Sequence, residues 1–588
     1  MLSARSLVAD IDTSALRDPQ AWQKWNIARL RPYAFVSAVY IFATWLTRSA
    51  FQADTPEYVG SISEHIQGRY VNFWEFGHLF WRPIGWLAFR VFGSVAARFI
   101  GSDQRLQITL VLIVVSWLCG SAASLLLLAL LRVYDARGWI PQLVATSFIF
   151  SNAVLNYSRS GSSYMPGLCL LILSMYLIAR EAENPSNNIG SQVCAGLALG
   201  GAVSLWFLYI LAVPVAIALP FVSGSSNKTR FRLSVGTLFF FCLSITLAYV
   251  GVLMHLRLSN AADVMAWARA SSHGIEIRGL SRSIFGWSRS FIYMGDAGRT
   301  IKRYLLHDPF NPISAWGLIG LWPELLKLGL FYMTLFSIAV GLGHSSRGRM
   351  SLTLLTLGTL PVLGFAIYWQ GGDLERYLPL YPAFFLLLSL SLVDLKAPHW
   401  TKAIGCLFIL FVVLTNAVNL RSSVIRDSQT QVESRVNGLI PHLKDESLVV
   451  LSNNMDDLVE FSRNFPFSPD NRSDALQLYP LLLAGAPDAN WREEFASHAL
   501  STWQAGGDIW ISRRLLHQAP EENWNWVEGD EKQVSWSDFA SFFSRLQYGE
   551  SVGGDDGFLL LLPSTGNRDS LVPLDSKKSN PLPASVQP

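Results

Sequence analysis

The sequence predicts an α-helical polytopic membrane protein, with about eleven transmembrane helices and a C-terminal extracytoplasmic α/β domain. Three observations predict it: composition, apolar runs of membrane length, and segregated Lys and Arg. Of 588 residues, 51% are hydrophobic and only 15% charged, whereas soluble domains carry about 25% charge. With a mean hydropathy of +0.30, the chain lacks the polar surface to cover itself in water, so lipid must be part of its solvent. Cytosolic enzymes, collagen-like chains and intrinsic disorder are excluded. The net charge of +3 hides a split: residues 1–420 carry 32 Lys/Arg against 19 Asp/Glu, and residues 421–588 carry 14 against 24. The basic half is the apolar half, so its partners are lipid headgroups and lipid phosphates rather than nucleic acid. The five cysteines (Cys119, Cys169, Cys194, Cys242, Cys406) lie in apolar runs without C-x-x-C spacing, so neither a disulfide framework nor a zinc site is expected.

Stretches of about 17–25 apolar residues mark spans. They fall at 33–50, 106–131, 139–156, 164–179, 192–206, 207–222, 233–254, 325–343, 352–369, 378–395 and 402–420. The first 32 residues are too long and polar for a secretory leader, so 33–50 reads as a retained anchor behind a cytoplasmic segment 1–32. With the N-terminus inside, the short basic loops Arg132–Gly138, Arg180–Ser191, Ser223–Arg232, His344–Ser351 and Lys396–Lys402 share the cytoplasmic face. Taking 192–222 as two passes, bent at Trp206 and Tyr209, keeps Lys228-Thr-Arg-Phe-Arg232 inside as well. The expected location is the cytoplasmic (inner) membrane, with residues 421–588 outside.

Residues 33–420 form the membrane domain, with outer loops 51–105 and 256–324. Residues 421–563 read as an accessory α/β domain: strands at Ser447–Ser452, Asp508–Ser512 and Phe558–Leu562, a helix from Asn454 or Asp456 through Asn464, and another at 534–547. A Pro/Ser/Lys-rich frayed tail occupies 564–588.

Several residues carry candidate chemistry. Asp54, in Ala53-Asp-Thr-Pro-Glu-Tyr58, is a carboxylate at the lipid–water boundary, where an unpaired charge is costly. It reads either as a general base or as the N-cap of a helix opened by Pro56, with Glu57 the reserve carboxylate. Residues 70–92 hold nine aromatics in 23, interrupted by Glu75, His78, Arg82 and Arg90. They read as an interfacial helix pair broken at Pro83. Glu75 and His78, three apart, are either auxiliary catalytic groups or an interfacial pair.

In the second outer loop Arg278, Arg282, Arg289, Arg299, Lys302 and Arg303 lie among aromatics. Guanidinium forks match phosphate, so the cluster binds a specific lipid phosphate or anionic headgroups in general. Finally, Tyr368-Trp-Gln-Gly-Gly-Asp-Leu-Glu-Arg-Tyr-Leu-Pro-Leu-Tyr-Pro382 puts Arg376 near membrane depth. There it needs an anion: Asp373, Glu375 or a ligand phosphate.

An acidic residue just beyond the first span, an interfacial aromatic loop, and Glu-Arg-Tyr-Leu-Pro-Leu-Tyr-Pro before a late span resemble the GT-C glycosyltransferases. These use polyprenyl-phosphate sugars; protein O-mannosyltransferases and lipid A aminoarabinose transferases are examples. The resemblance covers roughly residues 30–420. It implies inverting transfer of a sugar from a polyprenyl-phosphate donor to a lipid, glycan or protein acceptor on the outer face. It maps the family's first-loop acid onto Asp54 and its phosphate-binding arginine onto Arg376. Many relatives carry adjacent Asp-Glu where this chain has Asp54-Thr55, and an acid between spans three and four. Here that loop is Asn156-Tyr-Ser-Arg-Ser-Gly-Ser-Ser-Tyr164, whose charge is Arg159. Without a second carboxylate there, a divalent-metal site is not expected, and no cofactor is implied. The alternatives are an envelope-polysaccharide polymerase or ligase, or a non-catalytic transporter or assembly subunit. A transporter should carry ionisable residues at mid-bilayer, whereas most lie at span ends here.

Overall fold

The computed structural model describes residues 19–47, 54–68, 73–100, 104–134, 138–186, 188–271, 279–294, 314–344, 348–419, 435, 438–444, 446–451, 474–477, 491–513, 516, 541–554 and 557–571. Among these, seven helices are long and apolar enough to cross a membrane, and four further apolar helical segments are shorter. Together they coincide with the eleven segments read from the sequence. The long ones are α4 (Gln104–Tyr134), α7 (Tyr164–Glu183), α10 (Asn227–Leu256), α13 (Trp322–Gly343), α14 (Gly348–Tyr368), the run Glu375–Val393 that ends in α15 (Tyr381–Val393), and α16 (His399–Asn419). The shorter ones are the second half of α1 (Pro19–Leu46), α5 (Ile140–Phe150), α8 (Ile189–Leu205) and the stretch 207–222 around α9 (Val213–Ala218).

Burial sorts these helices. α15 is buried along nearly its whole length, and its Tyr381, Phe384 and Phe385 pack against Phe291, Phe331 and Phe408. α10 instead exposes Phe231, Val235, Phe239, Leu247 and Met254 along its outer side. In a membrane that apolar surface meets acyl chains, so its exposure carries no hydrophobic penalty.

The two-pass reading of 192–222 is visible in helix direction. A side chain added at Gly236 would strike Gln192, one at Gly196 would strike Phe240, and one at Gly200 would strike Ser244. Both helices thus ascend together: α8 and α10 run parallel. The segment between them therefore returns the chain to the side where α8 began. It has 16 residues: a six-residue 3-10 turn, the six of α9, and a four-residue 3-10 turn. An all-α rod of that size would reach only ~24 Å. At the 3-10 rise the same residues reach about 29 Å, close to the ~30 Å hydrocarbon core. Trp206, in extended conformation, makes the corner after α8.

Two local expectations are corrected. The helix pair expected over 70–92 and broken at Pro83 is not found in the described part, 73–92: residues 73–80 form turns, and α3 (Trp81–Ile100) runs unbroken with Pro83 in its first turn. A proline there sacrifices no helical hydrogen bond. The segment 139–156 is interrupted: α5 ends at Phe150, Ser151 is extended, and α6 (Asn152–Tyr157) continues.

The C-terminal region holds a five-stranded sheet, β1 (Leu448–Leu451), β2 (Asp474–Gln477), β3 (Ile509–Ser512), β4 (Tyr548–Val552) and β5 (Phe558–Leu561), in the order β2-β1-β3-β5-β4. β2, β1 and β3 are parallel, and β5 and β4 are antiparallel additions. Both faces are covered: Leu448, Val450, Ile509 and Ile511 meet Phe495 and Ala499 of α17 (Trp491–Gln504), while Val449 and Trp510 meet Leu439 on the other side. Three strands fall where expected. The helix expected at 454–464, and residues 534–540 of the one expected at 534–547, lie outside the described residues. Part of the segment expected to be a frayed tail is helical, and residues 572–588 lie outside the described residues. α18 (Thr565–Leu571) is folded, and its buried Asn567 receives the Gln547 N–H while its amide donates to the Gln547 and Leu562 carbonyls.

Candidate functional site

The site begins where the first apolar helix ends. α2 (Thr55–Ile66) starts one residue after Asp54, with Pro56 in its first turn. Asp54 stands at the N-cap position, but its side chain makes no capping bond. Its Oδ2 accepts instead from the hydroxyl of Tyr164 at 2.6 Å and that of Tyr58 at 3.3 Å. The carboxylate therefore leaves the free N–H groups of its helix uncapped and serves two phenols instead, one on the same helix. Burial raises the Tyr58 phenol well above its ordinary value, with Asp54 and Glu75 adding to the shift, so Tyr58 stays a neutral donor.

Glu57, the reserve carboxylate, is engaged elsewhere. The Arg82 guanidinium, almost fully buried, donates one nitrogen to Glu57 Oε1 at 2.6 Å and another to Glu75. The same guanidinium lies over the Tyr58 ring. An arginine this buried needs such anions, and here they tie α2, the 73–80 turns and α3 together. Glu75 and His78 do not form a helical pair, because 73–80 is not helix. His78 Nδ1 lies 2.7 Å from Ser163 Oγ and 3.1 Å from the Leu205 carbonyl. Burial lowers the His78 pKa, against the opposing pull of Glu75 and Asp54, so the ring is neutral at pH 7.

The loop between α6 and α7 organises the rest. Its serines are buried, and it reaches every neighbour. Thr55 donates to the Ser160 carbonyl, Ser116 of α4 donates to the Ser162 carbonyl, and Arg159 donates to the Thr44 and Thr47 carbonyls. Arg159 thereby closes the C-terminal end of α1, a favourable place for a cation. Gly161, at φ +76, makes the turn, and a side chain there would press on Thr55 and the Ile113 backbone. At the loop's two ends stand Tyr157 and Tyr164, with ring centroids 4.9 Å apart. Tyr164 holds Asp54, and Tyr157 donates to Glu375.

Arg376 follows Glu375. Its Nη2 donates to Gln370, with Asp373 Oδ2 at 3.8 Å and Glu375 Oε1 3.9 Å from Nε. Both carboxylates expected beside it are there, but the amide of Gln370 makes the direct bond. Asp54 and Tyr164 also act on Arg376 electrostatically. A chain of contacts thus runs from Asp54 through Tyr164 and Tyr157 to Glu375, beside Arg376.

α12 (Leu280–Phe291) packs over this segment. A side chain at Gly286 would strike the Gly371 carbonyl, Tyr377 donates to the Ser283 and Gly371 carbonyls, and Ser290 donates to that of Leu374. Arg282 is buried and Arg289 exposed on one stripe of α12, seven residues apart. Arg278, Arg299, Lys302 and Arg303 lie outside the described residues. No group of three or more His, Cys, Asp or Glu suited to a metal occurs among the described residues.

Sequence reasoning missed Tyr58, Tyr157, Tyr164 and Gln370. The tyrosines had a signal: a phenol among apolar residues must find a polar partner, and Tyr157 and Tyr164 flank a serine run at such a junction. Gln370 had none.

No family model and no curated protein sequence matches the chain. Solved structures do. The ArnT structure from Cupriavidus metallidurans in the apo state is similar with a TM-score of 0.51 and 10% identity, over 94% of this chain and 100% of that one. The same protein bound to undecaprenyl phosphate gives 0.50 and 11%, over 92% and 98%. The apo oligosaccharyltransferase of Archaeoglobus fulgidus gives 0.44 and 13%, over 83% and 70%. The two ArnT comparisons show that this chain has the GT-C fold, from its first helices into its C-terminal domain.

Proposed function

We propose that this protein is an integral-membrane glycosyltransferase, moving a sugar from a polyprenyl-phosphate donor to an acceptor hydroxyl on the outer face of the cytoplasmic membrane. The observation that carries this reading is the chain of contacts from Asp54 through Tyr164 and Tyr157 to Glu375, beside Arg376. One site then offers a base and a phosphate-binding cation. The shared fold supports it, since a protein of that fold was solved with undecaprenyl phosphate bound.

The chemistry needs little more. Asp54 accepts the proton of the acceptor hydroxyl as its oxygen attacks the anomeric carbon. The bond from that carbon to the phosphate oxygen breaks, with inversion, and polyprenyl phosphate departs. Phosphate is already a good leaving group, so no acid is required. Arg376 takes up the charge in bidentate fashion, with Arg282 and Arg289 on α12, and Arg278 before it, as further cations at the headgroup. The remaining work is alignment of donor and acceptor. The C-terminal α/β region serves as an accessory domain outside the membrane, with lipid, glycan or protein as the acceptor class.

Purified protein should hydrolyse or transfer radiolabelled polyprenyl-phosphate sugars. Facilitated flux of these lipids in liposomes without cleavage would replace the reading with transport.

A further inference from the structure

We infer that Tyr164 is a positioning residue that, with Tyr58, holds Asp54 Oδ2 and leaves Oδ1 as the oxygen that receives the acceptor proton. The inference rests on the transferase reading above and specifies which atom of the base works.

Both phenols converge on one carboxylate oxygen, at 2.6 and 3.3 Å. Oδ1 carries no hydrogen bond among the described residues. A carboxylate gripped on one oxygen cannot rotate about its terminal torsion, which is otherwise broad. Gripping one oxygen therefore aims the other.

Tyr164 is itself fixed. Tyr209 donates its hydroxyl to the Tyr164 carbonyl at 2.6 Å, and Gly167 provides the room, since a side chain there would strike the Tyr209 ring. The Tyr164 ring packs edge-on against Tyr157 and Trp206. Glu375 and Arg376 act on the phenol electrostatically, but its hydroxyl bonds Asp54. The titratable groups that act on Asp54 come from several elements: Tyr58 from α2, His78 from the 73–80 turns, Tyr157 from α6, Tyr164 from α7, and Arg376 from the segment before α15. Of these, Tyr58 and Tyr164 bond its side chain.

Losing the Tyr164 bond should therefore cost turnover and spare donor binding. The assay is hydrolysis of a radiolabelled polyprenyl-phosphate sugar by the full chain in detergent, with kcat and donor KM measured separately. Tyr164→Phe should lower kcat about tenfold and leave donor KM within about twofold. Tyr58→Phe, whose bond is longer, should lower kcat about threefold at unchanged KM. That variant carries the test if Tyr164→Phe fails to fold. Wild-type kcat in Tyr58→Phe and in any folded Tyr164→Phe, or a loss that falls on KM instead, overturns the inference. If instead Asp54→Asn keeps wild-type turnover, the transferase reading itself loses its base.

Discussion

Replacing Arg376 tests the donor site most directly. Its guanidinium contacts are one amide oxygen, from Gln370, and two carboxylates at 3.8 and 3.9 Å, beyond hydrogen-bond length. The forked face is thus only loosely satisfied by protein, and a phosphate would complete it. A hydrogen bond to a charged group contributes about 1.5–3 kcal/mol. Arg376→Lys keeps the charge and loses the second arm of the fork. That is one such bond, or roughly 10- to 100-fold in donor affinity. Arg376→Ala removes both bonds and leaves Glu375 buried without its cation, so the loss should exceed 100-fold and include destabilisation. The assay is equilibrium binding of tritiated polyprenyl monophosphate, without sugar, to purified protein, with thermal unfolding measured in parallel. Wild-type affinity in both variants would make Arg376 a structural ion-pair member and remove the phosphate site.

Asp54→Asn should fold and bind donor normally, with turnover down about 100-fold or more, whereas Glu57→Gln should act mainly on stability by releasing Arg82; the reverse result, by turnover assay, would move the base to Glu57. His78 ties the protein to pH: its folded pKa lies below the ordinary 6.5, so an unfolded chain binds more protons once pH falls under that value. Stability should be full above pH 6.5 and decline as pH drops toward the folded pKa; unfolding midpoints at pH 7 and 5 should converge in His78→Asn. A reporter fused after Ser423 should be active only outside the cytoplasm. Removing residues 424–588 should lower stability or acceptor choice more than donor cleavage, and tight donor binding by the isolated tail would contradict its accessory role.

The architecture was legible because it follows from solvent. Apolar length and charge sidedness are local quantities, and each of the eleven segments reappears as a helical stretch. What resisted reading was anything set by contacts across the fold. Pro83 looks like a breaker in isolation, yet α3 merely starts two residues earlier. Asp54 occupies an N-cap position, but no spacing rule shows that Tyr164, 110 residues away, takes its carboxylate. Glu57 and Asp54 look equivalent in sequence; the buried Arg82 separates them. Arg376 was readable because a cation in an apolar span demands an anion, but its amide partner Gln370 leaves no such trace.

The short mixed rod 207–222 has a consequence in counting. Asp54 is linked through Tyr164 and Tyr157 to Glu375, next to Arg376, so an even number of crossings must separate the two if both lie at one membrane face. Five of the long apolar helices and three of the shorter segments lie between them, which is even. Omit the rod, or let α3 cross as well, and the parity turns odd: the proposed base and the proposed phosphate-binding arginine would then face opposite compartments. A stretch of 16 residues, too short to span as a regular helix, thus decides whether the two halves of the chain can share one site.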